Sequence, residues 1–114
     1  MIQKKLLLYL QYISLLNLKT KEYKVFLYII NQLNTQNYTI INQKQLSEEL
    51  GLSKSEISKA IKKLINEEIF VLNPSSIYKS KKKEIKLNDY SVDELEDMIY
   101  DLLEENTLFN YYED

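Results

Sequence analysis

Lysine and serine residues follow one another closely between residues 53 and 63, and their side chains carry the chemistry that is easiest to interpret in this chain. The set comprises Ser53, Lys54, Ser55, Ser58, Lys59, Lys62 and Lys63, and Lys44 lies shortly before it. A lysine ammonium group carries a positive charge and three donors, and a serine hydroxyl both donates and accepts. Such groups bind phosphates and the polar edges of bases, so the segment is a candidate polyanion-binding surface.

The residue types needed for several other kinds of chemistry are missing from the sequence. It contains no histidine and no cysteine, which excludes histidine-based catalytic triads, disulfides and zinc sites of the usual Cys/His kind. The closely spaced carboxylates after residue 92 have no histidine partner. We therefore predict a protein without enzymatic activity, metal or cofactor, and we expect a cytoplasmic location.

Two short helices separated by a three-residue turn would position the lysine- and serine-rich segment. Leu46 and Leu50 lie four residues apart and would share one face of the first helix. Gly51 is the only glycine in the chain, and it can adopt the left-handed conformation that ends a helix. Ser53 and Glu56 form a Ser-x-x-Glu capping box, which predicts that the second helix begins there.

The second helix has one apolar side. Its stripe follows the spacing of a buried helix face and comprises Ile57, Ala60, Ile61, Leu64 and Ile65. Burial of this stripe would leave the lysines and serines outside. An ordinary helical hairpin uses the same glycine and capping signals and is the alternative interpretation. The basic outer side favours a helix-turn-helix that binds DNA.

The preceding residues predict a helix and a small strand. Thr20 is a candidate N-cap, and the helix would run to about Asn34 with Phe26 and Leu27 on its apolar side. Residues 38–41 form a short run rich in β-branched side chains, which favours a strand. Asn42 would then cap the next helix.

A β-hairpin is predicted after the helix pair. Residues 69–72 and 84–87 have strand character, and residues 73–76 contain the only proline, which fits an edge or a turn. The tip carries four lysines that would contact phosphates, namely Lys79, Lys81, Lys82 and Lys83. The alternative is a charged loop that only keeps the protein soluble.

Further helices are predicted at both ends of the chain. Residues 1–18 form an apolar helix, with a strand as the alternative. We expect this helix to pack on the domain and on a second copy through Leu6, Leu10, Ile13 and Leu16. Polar residues interrupt its apolar run, so we expect neither a secretory signal nor a membrane span. Ser91 begins an acidic helix over residues 91–105, and residues 106–114 form an apolar tail.

The charges of the chain are unevenly distributed. Residues 1–88 carry all 15 lysines and 7 acidic residues, whereas residues 89–114 carry 10 acidic residues and no lysine. A basic body with an acidic end favours a nucleic-acid binder, although a solvated lysine-rich surface is the alternative. Because the sequence contains no arginine, base recognition would depend on lysine, serine or asparagine.

Taken together, residues 20–88 resemble the winged helix-turn-helix superfamily, with residues 43–64 as the matching motif. Residues 24–30 and 72–79 are similar to plasmid replication initiators of Gram-positive type. The chain length is similar to that of the centromere-binding adaptors of tubulin-like plasmid and phage partition systems. The fold class predicted is mainly α with a small β-hairpin. We expect a single winged-helix domain over residues 1–114, with its core at 20–88 and extra helices at 1–18 and 91–105.

The resemblance implies sequence-specific binding of double-stranded DNA by a homodimer. The second helix of the motif would enter the major groove, and the lysine-rich hairpin, or wing, would contact the backbone. The sites would be repeated, in plasmid or phage segregation or in replication initiation, with a cytomotive GTPase or a replication protein as a further partner. A transcriptional repressor of the same fold and a protein–protein interaction module that has lost DNA binding are the alternatives.

Overall fold

The structure is a computed structural model that describes residues 4–76 and 83–113, with the side chains of residues 4–76 and 83–106. Its elements are α1 (Lys4–Leu15), α2 (Thr20–Ile29), a 3-10 helix (Ile30–Gln32), β1 (Thr39–Ile41), α3 (Gln43–Leu50), α4 (Lys54–Asn66), β2 (Phe70–Leu72), β3 (Lys83–Leu87) and α5 (Val92–Glu113). The predicted class, mainly helical with a small antiparallel sheet, is confirmed. The chain separates into two compact units, which are described separately: Leu18–Asp89 is the larger, and Met1–Asn17 with Tyr90–Asp114 is the smaller.

The sheet of the larger unit has three strands in the order β1-β3-β2, and both pairings are antiparallel. Ile40 lies opposite Glu84, and Val71 lies opposite Lys86. The two predicted hairpin strands, β2 and β3, are therefore present. The short strand before the motif, β1, pairs with β3 on the side away from β2. This arrangement, with α2, α3 and α4, is consistent with a winged-helix-like fold.

The core of the larger unit lies between its three helices and the sheet. The rings of Phe26 in α2 and Phe70 in β2 stack with centroids 5.9 Å apart. The buried apolar residues of α2, α3, α4 and the sheet are Val25, Phe26, Ile29, Ile41, Leu46, Leu50, Ile57, Ala60, Ile61, Leu64, Phe70, Ile85 and Leu87. Packing of α2 and α3 against α4 therefore fixes the rotation of α4 about its axis.

The turn between α3 and α4 has the predicted geometry. The Asn42 side chain accepts a hydrogen bond from the Gln45 amide, which begins α3. Gly51 ends α3 in the left-handed region, with φ of 67°. The Ser53 hydroxyl accepts from the Glu56 amide, and the Glu56 carboxylate accepts from the Ser53 amide, each at 3.0 Å. The N-cap and capping-box predictions for these two helices are confirmed.

The prediction for α2 was wrong in three respects. The Lys19 amide donates to the Glu22 carboxylate at 2.7 Å, so Lys19 and not Thr20 is the N-cap. The α-helix ends at Ile29 and continues as a 3-10 turn rather than reaching Asn34. Its buried side carries Val25, Phe26 and Ile29, whereas Leu27 is 58% exposed. The stacking of Phe26 on Phe70 sets this rotation, and no local pattern reveals it.

The smaller unit consists of α1 packed against α5. The Tyr9 hydroxyl accepts from the Tyr90 amide at 3.0 Å, and Ser91 caps α5 reciprocally with Glu94 as predicted. The helix is longer than predicted, because it continues past residue 105 to Glu113 instead of giving way to a tail.

The four residues predicted to contact a second copy differ in exposure. Leu6 is 36% exposed, Leu10 and Leu16 are half-buried, and Ile13 is buried at 2%. Of the four, Leu6 therefore presents the most open apolar surface on α1.

Replacement of Gly51 tests the turn. Gly51→Ala should lower the free energy of unfolding by about 1 kcal/mol, because a Cβ is unfavourable in the left-handed region. No atom lies within 4 Å of the position that the Cβ would take, so this cost is conformational rather than steric. Gly51→Asn is the matched control and should cost less, since asparagine tolerates this conformation. Urea unfolding monitored by circular dichroism measures both, and an alanine variant as stable as the parent would contradict the geometry.

Candidate nucleic-acid interface

The outer side of α4 is open to solvent. Lys54, Ser55, Lys59 and Lys62 are exposed, and Ser53, at the start of the helix, is exposed as well. The opposite side is closed, because Ile57, Ala60, Ile61 and Leu64 are each at most 2% exposed. The basic residues predicted on this helix therefore lie on a surface that a large polyanion can reach.

Other predicted contact residues already have partners within the chain. The Ser53 hydroxyl caps α4, and Ser58 is half-buried. The Lys63 ammonium lies 2.9 Å from the Glu67 carboxylate, and this hydrogen bond, followed by the charge of Glu67, raises the pKa of Lys63. Lys44 is exposed on α3. The set is thus divided into exposed residues, namely Lys44, Lys54, Ser55, Lys59 and Lys62, and residues engaged within the chain, namely Ser53, Ser58 and Lys63.

Strand β3 approaches one flank of α4. The Lys83 ammonium lies 3.5 Å from the Ser58 hydroxyl, and Lys83 is half-buried. Burial, and secondarily the charge of Lys62, lowers the pKa of Lys83. The base of the predicted wing therefore lies beside the helix. The predicted contacts Lys79, Lys81 and Lys82 lie outside the described residues.

The start of α2 approaches the other flank of α4. Lys21 forms an ion pair with Glu56. A recess of about 370 Å³ between the two helices is lined by Lys19, Thr20, Lys21, Glu22, Glu56, Lys59 and Ala60. Lys19 and Lys21 were not among the predicted contact residues, because they lie about forty residues before Lys59. The only local signal was two lysines on either side of the first residue of a helix.

Within the described ranges, no group of three or more histidine, cysteine, aspartate or glutamate side chains is placed to hold a metal ion. Over the same part of the chain, no helix is long and apolar enough to cross a membrane. What the interface offers chemically is a set of ammonium and hydroxyl donors on an exposed convex helix, which suits binding to phosphates and base edges.

Lys83 provides a pH test of this geometry. Because its pKa is lowered in the folded protein from the usual value of about 10.4, stability is gained as the pH rises through the folded-state pKa. That stability is lost as the pH falls, so the charged form of Lys83 destabilises the folded protein at neutral pH. Lys83→Met should therefore stabilise the protein at neutral pH, and its advantage should shrink near about pH 10. Urea unfolding at the two pH values measures the difference.

The control for this test is Lys86→Met. The Lys86 ammonium lies 5.0 Å from the centre of the Tyr38 ring, a favourable cation–π contact that the variant loses. It should therefore give no stabilisation at neutral pH. An equal effect of Lys83→Met at both pH values would contradict burial as the cause of the lowered pKa.

Comparison with known proteins identifies a family for this chain. Neither the curated proteins nor the solved structures that were compared yielded a match. The family of Firmicute plasmid replication proteins (RepL) matches residues 4–111, which cover the larger unit, most of the smaller unit and every described residue of the candidate interface. The relationship to plasmid proteins predicted from the sequence is thereby confirmed. The chain belongs to the RepL family of Firmicute plasmid replication proteins.

Proposed function

We propose that this protein binds double-stranded DNA during plasmid replication, with α4 as the recognition helix. The observation that carries the proposal is the exposed basic side of α4, opposite a fully buried apolar side. Ser55, Lys59 and Lys62 are spaced i, i+4 and i+7 and therefore share one side of the helix. A helix of 13 residues is about 20 Å long, and the major groove, about 12 Å wide, admits it.

The hairpin is the second element of the proposed interface. The contact between Lys83 and Ser58 brings the base of the hairpin to the flank of α4. From this position, Lys79, Lys81, Lys82 and Lys83 would hold the phosphate backbone beside the groove. Backbone contacts supply affinity and orientation, whereas contacts from α4 would discriminate sequence.

The third element is a homodimer formed through the smaller unit. Leu6 and Leu7 of α1 and Tyr100 and Leu103 of α5 are between 36% and 66% exposed. A second copy that covered these side chains would remove apolar surface from water. Two recognition helices in one assembly would then read two half-sites at a fixed spacing.

Replication initiation is the role that membership of the RepL family favours over segregation or repression. Footprinting on plasmid DNA that contains the gene for this protein distinguishes the three roles. Repeated sites within the gene would support an origin function. A single promoter site would support repression, and repeats beside the gene of a cytomotive GTPase would support segregation.

The DNA-binding proposal is tested with Lys59→Ala and Lys62→Ala in the full chain. Each variant should bind duplex DNA more weakly and should reduce the slope of log K against log salt by about 0.9, the value for one lost phosphate contact. Fluorescence anisotropy over a range of salt concentrations measures both quantities. Lys86→Ala is the charge-matched control and should leave the slope unchanged. Failure of the parent protein to bind duplex DNA at low salt would instead favour a protein–protein interaction module.

The dimer proposal is tested with the double variant Leu6→Lys, Leu7→Lys. Charged side chains at these positions should prevent association, because they would be buried unpaired in the interface. Analytical ultracentrifugation should show a dimeric parent and a monomeric variant. Leu27→Lys, which changes an exposed leucine of the larger unit, should remain dimeric. A monomeric parent, or a double variant that sediments as the parent does, would refute the proposal.

A further inference from the structure

The recess between α2 and α4 contains three lysines that come from two elements. Lys19 and Lys21 lie at the start of α2, and Lys59 lies on α4. All three side chains are exposed, and the recess volume of about 370 Å³ is ample for a phosphate group. The lining carries these three lysines and two glutamates, Glu22 and Glu56, so its formal charge is positive.

The two glutamates that line the recess, Glu22 and Glu56, already have partners within the chain. The Glu22 carboxylate accepts from the Lys19 amide at 2.7 Å, and the Glu56 carboxylate accepts from the Ser53 amide and pairs with Lys21. Among the residues that the structure describes, no carboxylate lies within ion-pairing distance of the Lys19 or Lys59 ammonium groups. These two lysines can therefore accept an external anion without breaking an internal ion pair.

The first turn of α2 uses two of its amides within the helix. The amides of Glu22 and Tyr23 donate to the Lys19 carbonyl at 2.9 Å and 3.1 Å. The side-chain donors that line the recess are the ammonium groups of its three lysines and the Thr20 hydroxyl.

The recess and strand β3 lie on opposite flanks of α4. Lys21 contacts Glu56, whereas Lys83 contacts Ser58, two positions further along the helix. Successive residues are rotated by about 100° around an α-helix, so these positions face nearly opposite directions. The exposed side with Ser55, Lys59 and Lys62 lies between them. The helix thus has a basic group on each flank.

We propose that Lys19 and Lys21, together with Lys59, bind phosphates of the DNA strand that borders α4 on the side away from β3. This inference depends on the proposed function. A helix in the major groove has a phosphate backbone at each rim, and the hairpin can reach only one of them. The recess supplies the contact with the other strand, so that α4 is held in the groove from both sides.

The test uses the full chain and a linear mixed-sequence DNA duplex. The double variant Lys19→Ala, Lys21→Ala should bind more weakly and should reduce the slope of log K against log salt by about 0.9 to 1.8, since each lost phosphate contact contributes about 0.9 and Lys21 also pairs with Glu56. Lys19→Gln, which keeps the ion pair between Lys21 and Glu56, should reduce the slope by about 0.9. The double variant Lys19→Arg, Lys21→Arg keeps both charges and should retain the parental slope.

Thermal unfolding by circular dichroism verifies that each variant is folded, and Lys19→Gln serves if the double alanine variant is not. A parental slope in a folded Lys19→Gln variant, with the loss still present in Lys59→Ala, would overturn the role of the recess and leave the proposed function intact. The role of the recess would also be overturned if Lys19→Gln lost no more affinity for DNA than Lys86→Ala does. Such a loss would reflect only the total charge of the protein. Absence of DNA binding by the parent protein would overturn both proposals.

Discussion

Burial of the apolar side of α4 is the constraint on which the rest of the interface depends. Ile57, Ile61 and Leu64 are fully buried, and complete burial of each such side chain is worth about 1.5–3 kcal/mol. The surface ion pairs of the same helix, such as Lys63 with Glu67, contribute about 0–1 kcal/mol each. Apolar packing therefore decides the rotation of α4, and the lysines are exposed as a consequence. Their outward position requires no energetic contribution of their own.

The left-handed turn at Gly51 makes this packing possible. It ends α3 at Leu50 and lets Ser53 begin α4 after only three residues, so both helices can contribute to one core. A longer connection would allow α4 more freedom relative to α3 and α2. Because the turn is short, burial of the apolar side of α4 also fixes the direction in which its charged side faces.

Local signals in the sequence were sufficient to predict the parts of the fold that depend on neighbouring residues. The caps at Asn42, Ser53 and Ser91 are each formed by residues three positions apart, and all three are present. One local signal failed, because Lys19 and not Thr20 caps α2. Another error occurred where distant residues decide. Leu27 lies outside because α2 rotates to stack Phe26 on Phe70, and a residue forty-four positions away leaves no trace in a local pattern.

The candidate interface also has one part that depends on local sequence and another that depends on distant residues. The basic side of α4 follows from helical periodicity, which is a local property. The recess joins Lys19 and Lys21 to Lys59, and the wing base joins Lys83 to Ser58, and both contacts depend on the tertiary fold. The sequence therefore predicted the central lysines of the interface and Lys83 on the β3 flank, but not Lys19 and Lys21 on the α2 flank.

The two compact units differ in charge in a way that bears on specificity. The larger unit carries 13 lysines and 8 acidic residues, whereas the smaller carries 2 lysines and 9 acidic residues. The proposed attraction to DNA would therefore be concentrated in the unit that contains α4. Because there is no arginine, the bidentate contact that most often identifies guanine is available only from the weaker geometry of lysine. Ser58 lies next to Lys83, which leaves Ser55, in the first turn, as the open serine of α4. One copy of this interface would thus bind backbone strongly and distinguish sequence weakly. If the protein acts at a replication origin, as proposed, the missing discrimination would have to come from the spacing of two recognition helices, which is a further physical reason for the proposed dimer.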